Sequence, residues 1–220
     1  MPAETAHYIH ALRFASLSAL YDPVVAMTSR ERTFKSALLD GAELAPGQRL
    51  LDVGCGTGTL ACMAVQREPG LEMHGLDGDP AILVRARRKA KLHGLAMHFA
   101  EGMSVRLPYP DQYFDSVLSS LFFHHLGAEA KRQTLGEILR VLKPGGQLHI
   151  GDWGAAQDPL MRAAFLLIQC FDGFATTRDH VAGRLPAMVA QAGFDDVRID
   201  RRFRTMLGTM EIVRSRRNGA

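Results

Sequence analysis

The residues best placed to do chemistry stand in Asp52-Val53-Gly54-Cys55-Gly56-Thr57-Gly58-Thr59. A carboxylate precedes Gly54, Gly56 and Gly58, which occupy alternate positions at the end of the apolar run Leu50-Leu51. Glycine accepts backbone conformations closed to other residues and lets a ligand approach the main chain. A helix starting there adds unpaired N–H groups at its N-terminus. The chemistry this implies is the binding of a polar ligand by backbone donors. Asp77-Gly78 closes the next apolar run and puts a second carboxylate within reach of the same ligand. His124 and His125 follow Ser119-Ser120-Leu121-Phe122-Phe123. An imidazole titrating near neutrality can take a proton from a phenol or an amine. The same rings can equally hold their loop by hydrogen bonds, so both roles stay open.

A glycine-rich turn suits more than one nucleotide. The dinucleotide fingerprint is G-x-G-x-x-G with an acid about 20 residues on. Thr59 stands where its third glycine should be, whereas Asp77 could serve the ribose of either kind of cofactor. No Gly-Lys-Ser/Thr occurs, so a Walker-type phosphate loop is excluded.

Elements that alternate along the chain must position these residues. Predicted strands cover Arg49–Val53, Met73–Leu76, Met97–Ala100, Phe114–Ser119 and Gln147–Asp152. Predicted helices cover Thr57–Gln66, Pro80–His93 and Glu129–Leu142. Pro144-Gly145-Gly146 should form a tight turn into the fifth strand. Strands alternating with helices predict a parallel sheet covered on both faces, with right-handed crossovers. Helices are then expected over Asp158–Phe171 and Arg178–Ala192, and two closing strands over Val197–Phe203 and Met206–Val213. Ahead of the first strand, Ile9, Leu12, Ala15, Ser16, Ala19 and Leu20 make a small-to-apolar stripe at helical spacing. Tyr21-Asp22-Pro23 interrupts it, and a second helix is expected over Arg30–Asp40, capped by Thr28 or Ser29. Residues 1–45 are thus expected to form a helical cap on a catalytic domain over residues 46–220, with a helical insertion at about 158–192.

The composition suits one globular domain: 220 residues, 47% apolar and 22% charged, with a formal charge of +3. That charge demands no nucleic-acid partner. No signal peptide and no run of ~18 apolar residues is visible, which predicts a cytoplasmic protein without a membrane span. Peripheral membrane contact stays open, and the oligomeric state is silent. Cys55, Cys62 and Cys170 lack metal-site spacing and are expected to be reduced thiols, with no metal bound. Trp153 and the apolar residues Phe165, Leu166, Ile168, Phe171 and Phe174 could wall an acceptor pocket or complete the core.

Over roughly Gln48–Val213 the chain resembles the class I S-adenosylmethionine-dependent methyltransferases. The glycine turn with Asp52 and the Leu142-Lys143-Pro144-Gly145-Gly146 element carry that resemblance. It implies a Rossmann-like α/β fold, with a seven-stranded, mostly parallel sheet, an antiparallel last strand and helices on both faces. It implies S-adenosyl-L-methionine as cofactor, held by Asp52, Gly54, Gly56 and Gly58, by Asp77 and Gly78 at the ribose, by the backbone at Met103 or Ser104 at the adenine, and by Ser120. Met103 departs from the pattern, because an acid often stands there. His124 and His125 become candidate catalytic residues facing a small, hydrophobic or aromatic methyl acceptor. Ala19-Leu20-Tyr21-Asp22 with Met27-Thr28-Ser29, and Thr205–Gly208, resemble the ubiquinone/menaquinone-biosynthesis group. That group tends to carry Arg-Asn where this chain has His124-His125. A non-catalytic module binding the same cofactor, or a nicotinamide-dependent oxidoreductase, remains the alternative.

Overall fold

The computed structural model describes residues 31–219. The expected Ile9–Leu20 helix, its Tyr21-Asp22-Pro23 break, the Thr28 or Ser29 cap and the Ala19–Ser29 resemblance lie outside those residues. The elements in chain order are α1 (Glu31–Asp40), β1 (Arg49–Val53), α2 (Thr59–Arg67), β2 (Glu72–Asp77), α3 (Pro80–Leu92), β3 (His98–Glu101), β4 (Phe114–Ser120) and a 3-10 turn (Phe123–His125). Then come α4 (Ala128–Val141), β5 (Leu142–Trp153), α5 (Pro159–Asp172), α6 (Phe174–Val181), α7 (Leu185–Gln191), β6 (Phe194–Thr205) and β7 (Gly208–Arg217).

The seven strands form one sheet in the order β3-β2-β1-β4-β5-β7-β6. β1 to β5 are mutually parallel, and β7 enters antiparallel between β5 and β6. This is the mixed, mostly parallel sheet the sequence predicts. Parallel strands bury both faces, which is why β1 reads as a nearly unbroken apolar run around Asp52. One face packs on α1, α2 and α5 through Phe34, Leu38, Leu60, Ala64, Phe165 and Ile168. The other packs on α4 and α7 through Leu135, Ile138, Leu185 and Val189. The chain reverses its winding between β1 and β4, and in open α/β sheets ligands lie at the carboxyl ends of strands beside such a point.

Two expectations need correction. The single helix predicted over Arg178–Ala192 is instead α6 and α7. Gly183 adopts a φ of 63° between them, and Pro186 lies in the first turn of α7, where its missing N–H costs no helical bond. The second concerns Pro144-Gly145-Gly146, which lies within β5 rather than before it. The pairing with β4 jumps from Phe114↔Leu142 to Ser116↔Gln147, so the turn is absorbed as an irregularity in the strand. Gly145 takes the positive φ, 75°, that this requires. Among the described residues, no helix is long and apolar enough to cross a membrane.

Candidate active site

The glycine turn leaves β1 and enters α2. Gly54, Gly56 and Gly58 all have positive φ, at 71°, 52° and 72°, and Gly58 caps α2 in the left-handed conformation. The three glycines meet different surroundings. A Cβ on Gly54 would fall 2.3 Å from the Phe122 ring, so the loop after β4 is seated directly on the turn. A Cβ on Gly58 would press on Phe99 and Ala86. A Cβ on Gly56 would meet nothing within 4 Å, so the turn's midpoint faces open space. Lys89 on α3 braces the far side by donating to Thr57 Oγ1 at 2.9 Å and Thr59 Oγ1 at 2.7 Å.

Asp77 grips the same turn. Its Oδ2 accepts from the Gly56 N–H at 2.8 Å and its Oδ1 from the Asp79 N–H at 3.0 Å. Burial pushes its pKa up, while the N–H donors of Asp79, Gly56 and Gly78 work against that rise. Asp79 carries the capping of α3, accepting from Ala81 and Ile82. Asp77 is therefore not spent as a helix cap.

Asp52 is buried, and neither of its carboxylate oxygens has a hydrogen-bond partner among the described residues. Burial raises its pKa to about 7, against the opposing field of Lys35. Ser120 Oγ, at the end of neighbouring β4, is likewise buried and unpartnered. Buried polar groups are nearly always paired. Two orphans at adjacent strand ends, beside an open glycine backbone, fit a ligand carrying its own donors. That is what the amino-acid part of S-adenosyl-L-methionine would bring.

The adenine side is less defined. Met103 is 42% exposed, free to lie against a flat ring. Ser104 is buried, and its hydroxyl bonds Thr134 Oγ1 of α4 at 2.8 Å. Its side chain anchors the loop, so only its backbone is left for a ligand.

The histidines form a second centre with residues the sequence did not single out. His124 is buried, and its Nδ1 lies 2.7 Å from Asp152 Oδ1 at the end of β5. Its backbone N–H donates to Asp152 Oδ2 at 3.2 Å. Its Nε2 lies 3.6 Å from Asp172 Oδ2, on the last turn of α5. Burial alone would lower the His124 pKa, but Asp152 and then Asp172 outweigh it and hold it above the ordinary histidine value. Asp152 in turn stays ionised because the His124 and His180 rings overcome its own burial. His125 differs: its side chain is 32% exposed, and the buried part of the ring together with neighbouring His124 lowers its pKa to about 3. It is therefore neutral at pH 7. Deeper in, Lys131 of α4 is wholly buried, donating to Thr176 O at 2.7 Å and Asp179 Oδ2 at 3.3 Å. This pair ties α6 to α4 behind the histidines.

Trp153 is buried against Phe165 in the core, so its ring is structural. Ile168 joins it, whereas Leu166, Phe171 and Phe174 are exposed. All three cysteines are free thiols. Burial raises the Cys55 and Cys62 thiols, making both poor nucleophiles.

The chain is similar to known proteins. A family model described as a methyltransferase domain matches residues 50–146. The chain is 34% identical to a demethylmenaquinone methyltransferase of Deinococcus radiodurans over 80% of its own length and 70% of the relative's. It is 45% identical to the demethylmenaquinone methyltransferase of Thermus thermophilus over 48% of its length, a match that spans about half, 47%, of that relative. The crystal structure of the YcgJ protein from Bacillus subtilis superposes with a TM-score of 0.68 at 18% identity, covering 86% of this chain and 100% of that one. At that identity the likeness speaks for the fold.

Proposed function

Since the chain belongs to the class I S-adenosylmethionine-dependent methyltransferases, we propose that it methylates a small, hydrophobic aromatic acceptor of the hydroxylated-ring kind found in quinone precursors. The observation that carries the cofactor reading is the orphaned, buried Asp52 beside the open backbone of Gly56. The observation that favours a hydroxylated acceptor is the polar pair His124-His125, set among Phe122, Phe123 and Leu126 after β4. The relatives' names carry a demethylated quinone as substrate, which is the aromatic class meant here.

The bound cofactor supplies a methyl on a positively charged sulfur, a leaving group that needs no further activation. The chain then has to position and exclude. Asp52 would receive the ammonium, Asp77 the ribose hydroxyls, Gly56 and Gly58 the close approach of the backbone, and Ser120 a remaining polar contact. Alignment of this kind is worth ~7–11 kcal/mol in well-oriented cases, whereas a general base adds a factor on the order of 10²–10⁴. His124 has both ring nitrogens beside carboxylates, so it positions the loop. His125 is neutral, partly exposed and next to it; its lowered pKa makes it a weak base, so it serves to orient the acceptor.

The test is incubation with methyl-labelled cofactor and three acceptor classes: a demethylated quinol, a simple phenol and an amine headgroup. Label in the quinol, lost on His125→Ala more than on Met103→Ala, supports the reading. Label confined to the amine headgroup overturns the aromatic acceptor. Cofactor binding with no label in any aromatic acceptor overturns the enzymatic assignment to this class.

A further inference from the structure

We propose that His124, His125 and Asp172 form a binding site for a divalent transition metal of the zinc or cobalt type, backed by Asp152. The three side chains come from two elements far apart in the sequence, the turn after β4 and the end of α5. One ligand atom from each lies within 4.8 Å of the other two. His124 Nε2 is 3.6 Å from Asp172 Oδ2, and His125 Nδ1 is 3.9 Å from Asp172 Oδ1. Two ligands at zinc-like bond lengths in a tetrahedral site lie roughly 3.3 Å apart. Modest rotation of the side chains therefore closes the set around an ion.

The surroundings are those a metal-bound imidazole needs. Such a ring almost always passes its other N–H to a carboxylate, which fixes its tautomer and orientation. Asp152 Oδ1 accepts in this way from His124 Nδ1 at 2.7 Å, leaving Nε2 turned to Asp172. Asp152 is itself pinned, accepting from the backbone N–H groups of Trp153 and His124. The pocket has a way in, because the His125 side chain is 32% exposed while those of His124 and Asp172 are 5% and 9% exposed. Two imidazoles and one carboxylate suit zinc, cobalt, nickel or iron over magnesium or calcium, which prefer all-oxygen sets. Three protein ligands leave a coordination position open.

The proposal does not depend on the identity of the acceptor, because binding is read without one. Protein free of any affinity tag is stripped with a chelator and titrated with Co(II), following visible d–d absorption, and then with Zn(II) as competitor. The expected result is one saturable site. Asp172→Asn abolishes it, and Asp152→Asn weakens it by about 10–100-fold. Cofactor affinity, measured calorimetrically on the same variants, stays at the wild-type value and shows that they are folded. X-ray absorption of the wild-type Co(II) form should show two imidazole nitrogens, a measurement that needs no variant. The proposal is overturned by the absence of saturable Co(II) binding. It is also overturned by binding that survives Asp172→Asn, or by fewer than two imidazole ligands.

Discussion

The three acids at strand ends, Asp52, Asp77 and Asp152, carry different duties because their partners differ. Asp77 has both oxygens on backbone donors, Asp152 serves a histidine, and Asp52 has no partner among the described residues. Removing Asp77 deletes charge-assisted bonds to the turn and to the ribose that would sit there. Such bonds are worth about 1.5–3 kcal/mol each. Asp77→Ala should therefore weaken cofactor binding by at least roughly 10-fold, while His124→Ala leaves it near wild type. Calorimetric titration with cofactor measures both, and equal losses would contradict the roles assigned. Asp52 adds a signature of its own. A cation placed against this carboxyl lowers its pKa from about 7, so binding near pH 6 should release a proton. Titrations in buffers of different ionisation enthalpy would show this release, and Asp52→Asn should lose it.

Between elements, the contact that matters most joins the α2 turn to the loop after β4. Gly54→Ala adds a strained φ and drives a methyl into Phe122, which together cost about 2–5 kcal/mol. Gly56→Ala has only the φ cost, about 1–2 kcal/mol, because its Cβ would meet nothing. Thermal unfolding should rank Gly54→Ala well below Gly56→Ala. Adding Phe122→Ala to Gly54→Ala should return only the steric part. If the two glycine variants melt alike, Phe122 does not seat on the turn. The glycine turn and the strands were legible because each rests on local signals: an apolar run, a carboxylate and glycines in sequence. β1 is predicted to the residue. The split between α6 and α7 turns on a glycine conformation that helical spacing does not report. Asp172 was missed for a different reason: only the fold carries the end of α5 to the histidines. Asp152 had a visible cue, an acid closing an apolar strand as Asp52 does, but its partner His124 is set by the pairing of β4 with β5.

At the scale of the whole molecule, the sheet order gathers the ends of β1, β2, β4 and β5 on one side and leaves there a buried carboxyl with no partner among the described residues. That carboxyl makes stability depend on pH in an unusual direction. The pKa of Asp52 is about 7 in the folded state, against about 4 in an unfolded chain. Below pH ~4 both states hold the proton, and the fold has its full stability. Between pH ~4 and ~7 the unfolded chain ionises first, so Asp52 costs the fold progressively more. The limit is about 4 kcal/mol, reached above pH 7. Asp152 acts the other way, because a carboxylate held ionised by its histidine neighbours loses stability as pH falls. The contribution of Asp52 is therefore read as a difference. Asp52→Asn should be more stable than wild type at pH 8, and the gap should close toward pH 4. Saturating cofactor should narrow the same gap at pH 8, because the ligand's ammonium compensates the charge only when Asp52 carries it. Urea unfolding of both proteins across that range, with and without cofactor, decides it: a pH-independent gap would mean that Asp52 is not the group setting the slope.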